Sequence, residues 1–280
     1  MTLEEWLAAA RRRCPELLPL ELRLLISQAT GLSRAQQYGH GEALPPAALA
    51  TLEANLRRLE GGEPLAYVLG HWEFFDFSLK VSPATLIPRP DTEVLVEAAL
   101  ERLPVDRTAD VIDLGTGSGA IALALARHRP RARLLAIDNS AAALAVAEEN
   151  ARTLGLDNVR FLQNSWLDGL AGRAADLIVS NPPYIMQREA QQMQPNVQNE
   201  PHSALFVPNE EPLLFYESIA RYGLHALKRG GKLFFEINPL CHEAMKRMLA
   251  DMGWQAIETR NDAFGKQRMM SAIRPEGLRS

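Results

Sequence analysis

The sequence predicts an α/β protein: a seven-stranded, mostly parallel sheet with helices on both faces, preceded by a small N-terminal helical domain and a β-hairpin linker. Three observations carry this expectation. From Leu3 to about Leu59 apolar residues recur at helical spacing. Between Tyr67 and Val81 the chain is rich in aromatic and β-branched residues, as strand pairs are. Beyond Pro104, short apolar runs alternate with helical stretches, the pattern of a parallel sheet covered by helices. We divide the chain into a helical domain at 1–64, a hairpin linker at 65–84 and an α/β domain at 85–280.

In the first segment, Pro15, Pro19, Gly31, Gly39–Gly41 and Pro45–Pro46 cut the pattern into several short helices, because proline lacks an N–H and glycine readily ends a helix. In the linker, Gly70, Asp76 and Ser78 are the turn candidates. Pro83, Pro88 and Pro90 keep the next backbone extended, and Asp91 or Thr92 is placed to cap a helix through Val94–Leu103. Strands follow near 109–114, 132–138, 159–163, 175–180, 231–237, 255–259 and 268–273, with helices near 119–128, 141–154, 212–227 and 240–252. Tyr184–Glu211, with its many Gln and Asn, reads as one long irregular stretch, and loops of that length in compact domains carry function or move.

A chain of 280 residues, 47% hydrophobic and 23% charged, is excluded from the disordered and fibrous classes. Thirty Lys+Arg against 34 Asp+Glu give a net charge of -4. No basic half is hidden: residues 1–80 carry 8 basic and 10 acidic groups, and the remainder 22 and 24. Bulk charge therefore attracts neither phosphate backbones nor anionic membranes, and no direct nucleic-acid ligand is expected. No apolar run approaches the ~20 residues that cross a bilayer. The opening residues Met-Thr-Leu-Glu-Glu-Trp put acids where a secretory signal puts positive charge, so a cytoplasmic protein without a membrane partner is expected. Cys14 and Cys241 form no CxxC pair and the six histidines no ligand cluster, so we expect buried free thiols and no metal.

Two motifs carry chemistry. Val111 to Ala120 includes Asp113, Leu114, Gly115, Thr116, Gly117, Ser118 and Gly119, placed where a strand turns into a helix. Glycines there let the backbone approach a ligand and adopt positive φ. The run also satisfies GxGxxA, which leaves a dinucleotide formally open. Asp138 ends the next strand, where its carboxylate can accept both ribose hydroxyls of either NAD or S-adenosylmethionine. A tight turn beside an exposed acid is the bland reading of the same residues.

The second motif, Asn181-Pro182-Pro183-Tyr184, ends the apolar run from Asp176 at the carboxyl edge of the predicted sheet. Two prolines make a rigid turn that presents carbonyl oxygens. An amide or exocyclic base NH2 offers two N–H donors; the Asn181 side-chain oxygen and the Pro182 carbonyl can accept both and aim the nitrogen at an electrophilic methyl. Tyr184 supplies a flat wall. The competing reading is a proline turn that only ends a strand.

Together, Asp113–Gly119, Asp138 and Asn181–Tyr184 resemble the class I S-adenosylmethionine-dependent methyltransferases that methylate amino groups. Gly62–Gly70, Leu86–Glu93 and Asn199-Glu200-Pro201 ahead of Ala204-Leu205 narrow the resemblance to the peptide chain release factor glutamine methyltransferases (HemK-like, PrmC), over nearly the whole chain. The resemblance implies a class I methyltransferase sheet in which Gly115–Gly119, Asp113, Asp138, Trp166 and Asn181 contact S-adenosyl-L-methionine, leaving S-adenosyl-L-homocysteine as product. It implies catalytic roles for Asn181, Pro182 and Tyr184 and glutamine binding by Asn181–Tyr184. It implies methylation of the side-chain amide nitrogen of the Gly-Gly-Gln glutamine in bacterial release factors, which the helical domain would grip, and a role for Glu200 in ordering the long loop. Two positions depart from the family: Ser165 stands before Trp166 where an acid is usual, and Glu236-Ile237-Asn238-Pro239 replaces the commoner Glu-Ile-Gly.

Other candidates have simpler readings. Arg127, Arg129, Arg131 and Arg133 follow a helix end, where they complement the dipole. Phe74, Phe75 and Phe77 read as domain packing rather than a base-stacking platform. The alternatives to release factors as substrate are a ribosomal protein glutamine and a DNA or RNA amino group; a nicotinamide-dependent oxidoreductase is the alternative of another class, and it gives Asn-Pro-Pro-Tyr no purpose.

Overall fold

Thr2 opens the chain as a helix cap: its hydroxyl accepts Glu5 N–H while Glu5 accepts Thr2 N–H. The helix it starts, α1 (Leu3–Arg13), buries Leu3, Trp6, Leu7 and Ala10, the i, i+3, i+4, i+7 stripe of one face. In α2 (Pro19–Thr30) and α4 (Pro46–Glu60) proline occupies the first turn, where its missing N–H has no intrahelical partner to lose. Gly31, at φ +74, closes α2, and α3 (Arg34–Gln37) is a single turn. Arg13 ties α1 to α4 by ion pairs of 2.7 Å to both Glu53 and Glu60.

The computed structural model describes residues 1–164, 174–193 and 197–276. The chain separates into two units, Met1–His71 with Gln194–Asn199, and Trp72–Met193 with Glu200–Ser280. One sequence expectation is corrected at the end of the first unit. Leu65–Leu69 is a helix, α5, set up by Pro64 at its N-cap and closed by Gly70 at φ +76. The hairpin is shorter than expected, β1 (His71–Phe74) and β2 (Phe77–Lys80), with Asp76 in the turn and Ser78 within a strand.

In the second unit, α6 (Pro90–Arg102) begins earlier than expected, with Arg89 at the N-cap and Pro90 at the first helical position. Neither Asp91 nor Thr92 caps it; Thr92 is turned inward. The remaining elements are β3 (Asp110–Leu114), α7 (Ala120–His128), β4 (Arg133–Asp138), α8 (Ala141–Thr153), β5 (Val159–Gln163), β6 (Ala175–Ser180), β7 (Ile185–Met186), α9 (His202–Leu205), β8 (Phe206–Val207), α10 (Leu214–Ala226), β9 (Leu227–Glu236), α11 (His242–Asp251), β10 (Gln255–Asn261) and β11 (Gln267–Ile273). The stretch after Tyr184 is less irregular than expected: β7 pairs in parallel with β8, and short 3-10 turns and α9 lie between them. Backbone pairing, invisible to a composition-based reading, supplies its order.

The seven-stranded sheet has the order β10-β11-β9-β6-β3-β4-β5, parallel except that β11 runs against both neighbours. Side chains alternate across it. Val111, Leu134, Ala136, Leu177, Val179 and Phe234 face a core shared with α6 and α7; Ile112, Leu114, Ile178, Leu233 and Phe235 face one shared with α10 and α11. Both faces are buried, which is why these strands read as continuous apolar runs. Phe74 and Phe77 belong to the first core, as packing predicts. The basic run is engaged locally: Arg127 pairs with Asp76, Arg129 donates to Leu103 O, and Arg133 pairs with Asp110. Cys14 and Cys241 are buried free thiols. No helix among the described residues is long and apolar enough to cross a membrane.

Candidate active site

Chain order through the sheet runs from β3 outward to β4 and β5, then back to β6 on the other side of β3. Such a reversal opens a crevice at the carboxyl ends of the strands. Register sharpens this into a row. Leu114 of β3 is level with Ile137 of β4 and with Ser180 of β6, and Ser180 is level with Phe235 of β9. The next residue in each strand is therefore Gly115, Asp138, Asn181 and Glu236. Ser180 Oγ fastens two of these strand ends together, donating to Leu114 O at 2.6 Å.

The glycine turn after β3 spends four of its N–H groups, those of Gly115, Thr116, Gly117 and Gly119, on the protein itself. Gly115 N and Thr116 N donate to Ile137 O at 2.9 and 3.0 Å, and Gly119 N to Thr116 O at 2.9 Å. Gly117 N donates to Asp138 Oδ2 at 2.9 Å, while Asp138 Oδ1 accepts Ser140 N–H. Gly115, Gly117 and Gly119 all have positive φ. A Cβ on Gly117 would meet nothing within 4 Å, so this part of the turn is open to a ligand. Ser118 is buried, and its carbonyl accepts from Asn150 Nδ2, whose side chain also exchanges hydrogen bonds with the Lys80 backbone. Asn150, on α8, thus braces the turn; sequence reasoning missed it because an Asn inside a helix pattern carries no signal for distant partners.

Asp113 is fully buried just below the turn. Its Oδ2 accepts from Thr116 Oγ1 at 2.7 Å and from Ala122 N at 3.2 Å, so the carboxylate occupies the N-terminus of α7. Its Oδ1 has no hydrogen-bond partner among the described residues. Burial pushes this carboxyl up to about 7, aided by the neighbouring Asp138 charge and opposed by the bonds from Thr116 and Ala122.

Asn181 sits on the other side of the crevice, half-buried, followed by buried Pro182 and Pro183. Its Nδ2 donates to Thr92 Oγ1 at 3.3 Å, and Thr92 Oγ1 donates to Glu236 Oε2 at 2.6 Å. Tyr184 Oη donates to Glu236 Oε1 at 3.0 Å. Among the described residues no donor reaches Asn181 Oδ1. Burial raises the Glu236 carboxyl above the ordinary glutamate value, against the bonds from Thr92 and Tyr184. It also raises the Tyr184 phenol, with the Glu236 charge adding to the effect, so the hydroxyl stays a donor. Asn238 Nδ2 donates to Tyr184 O at 3.3 Å, so Asn238 holds the residue that follows the two prolines. Arg268 stands nearby, paired with Asp91 at 2.7 Å and Asp262 at 3.0 Å.

The structure thus brings Asp113, Gly115–Gly119, Asp138 and Asn181–Tyr184 to one edge of the sheet, whereas Trp166 and Ser165 lie outside the described residues. Glu200, only 1% exposed, accepts from Ile87 N at 2.9 Å and from Arg89, fastening the chain before α9 to the segment ahead of α6. Sequence reasoning gives neither Thr92, expected only as a candidate helix cap, nor Glu236 a role at the site, because nothing local supplies their partners. A cavity at the opposite ends of the strands, lined by Asp110, Arg133, Asp157 and Arg160, shares no residue with the row. No group of three or more His, Cys, Asp or Glu among the described residues could hold a metal ion.

A pyrophosphate binds through free N–H groups at a helix N-terminus; here the N–H groups of Gly115, Thr116, Gly117 and Gly119 donate internally, and the Asp113 carboxylate accepts from Ala122 N in the first turn of α7. What the crevice offers instead are acceptors, the Asp138 carboxylate and Asn181 Oδ1. Such a set suits a ligand bearing positive charge and hydroxyl donors.

Comparison with known proteins agrees. A family profile described as "Methyltransferase small domain" matches residues 91–200, and one described as "PrmC N-terminal domain" matches residues 5–70. The chain is 41% identical to the release factor glutamine methyltransferase of Yersinia pestis over 272 residues, 96% of this chain and 98% of the relative. It is 38% identical to the protein of that name from Escherichia coli strain K12, with the same coverage. A methyltransferase from Pyrococcus furiosus shares the fold, with a TM-score of 0.53 at 13% identity over 80% of this chain and 99% of that one.

Proposed function

Since the chain belongs to the release factor glutamine methyltransferase family, we propose that it methylates the side-chain amide nitrogen of the Gly-Gly-Gln glutamine of peptide chain release factors, with S-adenosyl-L-methionine as donor. The observation that carries the choice of cofactor is the acceptor-rich crevice. In this reading the Asp138 carboxylate, beside the glycine turn, accepts the ribose hydroxyls. When bound, the cofactor supplies an activated, positively charged methyl donor.

The chain's own residues do the rest. Asn181 Oδ1 and the Pro182 carbonyl accept the two N–H bonds of the substrate amide and hold its nitrogen in line with the methyl group. An amide nitrogen is a poor nucleophile because its lone pair is delocalised; acceptors on both hydrogens return electron density to it as charge develops. The rigid Pro182-Pro183 turn fixes the Pro182 carbonyl, and Tyr184, held through its hydroxyl and its carbonyl, walls the site. No base with a matched pKa is required, since the proton can leave after methyl transfer.

Labelled cofactor incubated with this protein and with purified release factor, ribosomal protein or DNA, followed by mass-spectrometric mapping, tests the reading. Label on the Gly-Gly-Gln glutamine is the expected result; label confined to any other acceptor overturns it.

A further inference from the structure

Asparagine is ambiguous in the role just described, because its amide is nearly the same shape with oxygen and nitrogen exchanged. Only one orientation presents an acceptor to the substrate; the other presents an NH2 that repels the substrate's own N–H bonds. Packing alone does not choose between them. The hydrogen-bond inventory around Thr92 does.

Glu236, 1% exposed, lies at the bottom of a chain of polar groups. In its ionised form this carboxylate only accepts. Thr92 and Tyr184, hydroxyls at 2.6 and 3.0 Å from its two oxygens, must therefore both donate to it. The Thr92 bond has the length of a charge-assisted O–H to carboxylate bond. A threonine hydroxyl has one hydrogen, and here it is spent. Towards Asn181, 3.3 Å away, Thr92 Oγ1 can then offer only a lone pair, and the group that meets it must be the amide NH2. The oxygen of Asn181 is left facing away from Thr92, and among the described residues nothing donates to it.

We infer that Thr92 and Glu236 are positioning residues that set the orientation of the Asn181 amide, so that its oxygen, not its nitrogen, receives the substrate amide. The inference rests on the methyl-transfer reading above. Neither residue touches the substrate; each acts through the direction of a hydrogen. Glu236 holds the Thr92 hydrogen, and Thr92 in turn holds the Asn181 nitrogen. With Gln at position 236, an NH2 donates to Thr92, the Thr92 hydrogen is released towards Asn181, and the reverse amide orientation becomes as good as the productive one.

The test compares Thr92→Val, Thr92→Ser and Glu236→Gln with the unaltered protein, measuring kcat and KM for a release factor and the Kd of S-adenosylmethionine. In Thr92→Val, kcat falls on the order of 10- to 100-fold, as loss of a supporting partner does elsewhere, while the cofactor Kd stays within about twofold. Thr92→Ser, which keeps the hydroxyl, recovers most of kcat. Glu236→Gln preserves the buried volume and reproduces the loss, which covers the case in which Thr92→Val folds poorly. Wild-type kcat in Thr92→Val or in Glu236→Gln overturns the inference, and so does a Thr92→Ser as slow as Thr92→Val. An unaltered protein that binds the cofactor but leaves the release factor unlabelled overturns the underlying reading of function instead.

Discussion

Thr92 Oγ1 donates to Glu236 Oε2 at 2.6 Å across 144 residues of sequence, joining the first turn of α6 to the last residue of β9. Both residues are buried, and Thr92 links Glu236 to Asn181, its neighbour in the row of strand ends. That arrangement separates two kinds of residue. In the proposed function Asn181, Pro182 and Tyr184 meet the substrate, while Thr92, Glu236 and Asn238 hold them through hydrogen bonds.

Asn181→Ala removes one of the two acceptors proposed for the substrate amide and leaves Asp113, Asp138 and the glycine turn intact. Loss of one such contact costs about 10²- to 10³-fold in kcat. The cofactor Kd, measured by isothermal titration, should change little by comparison. An unchanged kcat would remove Asn181 from the reacting centre.

The pH profile of kcat should report Glu236. Its carboxyl faces Thr92 and Asp91 of α6, Tyr184 after β6, and Arg268 of β11, and burial raises it above the ordinary 4.5. As pH falls, Glu236 takes up a proton earlier than an exposed glutamate and becomes able to donate, which frees the Thr92 hydrogen. An acid limb with its midpoint above 4.5 is expected in the unaltered enzyme. In Glu236→Gln the rate should be low and the limb absent. A limb of the same position in both proteins contradicts this assignment.

Asp113 makes stability depend on pH in the opposite sense from a salt-bridged acid. Its carboxyl rises from 3.8 to about 7 on folding. Between those values the unfolded chain has lost the proton and the folded chain keeps it, so this contribution is complete below the lower value and is lost as pH rises towards the upper. The slope is at most about 1.4 kcal/mol per pH unit. Urea unfolding at about pH 5 and about pH 7 should therefore show a steeper fall in stability for the unaltered protein than for Asp113→Asn. Equal slopes would mean that Asp113 is ionised at both.

Two glycines of the same turn should differ in tolerance. Gly119 has φ +86, and a Cβ there would stand 2.9 Å from Leu123 Cδ1 and 3.3 Å from Ala147 Cβ. Gly119→Ala combines left-handed strain of about 1–2 kcal/mol with a repacking cost of similar size. Gly117, at φ +56 with nothing within 4 Å, bears the strain alone. Urea midpoints should fall further for Gly119→Ala than for Gly117→Ala; the reverse order would show that the contact is easily relieved.

How much of this was readable in advance follows from the range of the forces. Capping by Thr2, the proline starts at Pro19 and Pro46 and the glycine stop at Gly31 are local, and the helices of the first unit follow them. The strand expected at Tyr67–Leu69 was not formed, because Pro64 and Gly70 bound a helical turn that overrides β-branched and aromatic composition. Thr92 looked like a helix cap for the same local reason, and its bond to Glu236 displaced it. The order in the stretch after Tyr184 comes from β7 pairing with β8, two residues on each side, too short to leave a periodic signal.

By itself the sequence determined the α/β class, the seven strands, the glycine turn and the Asn-Pro-Pro-Tyr corner, because alternating apolar runs, positive-φ glycines and ring-locked prolines act within a few residues of themselves. Tertiary structure alone decided that Gly115, Asp138, Asn181 and Glu236 form one row, since strand register is set by pairing between distant segments. It alone showed that the N–H groups of Gly115, Thr116, Gly117 and Gly119 are spent internally and that Asp113 accepts from Ala122 N in the first turn of α7. It also made Thr92 and Glu236 partners: a buried carboxylate must find its donors wherever the fold brings them, and sequence distance places no limit on that.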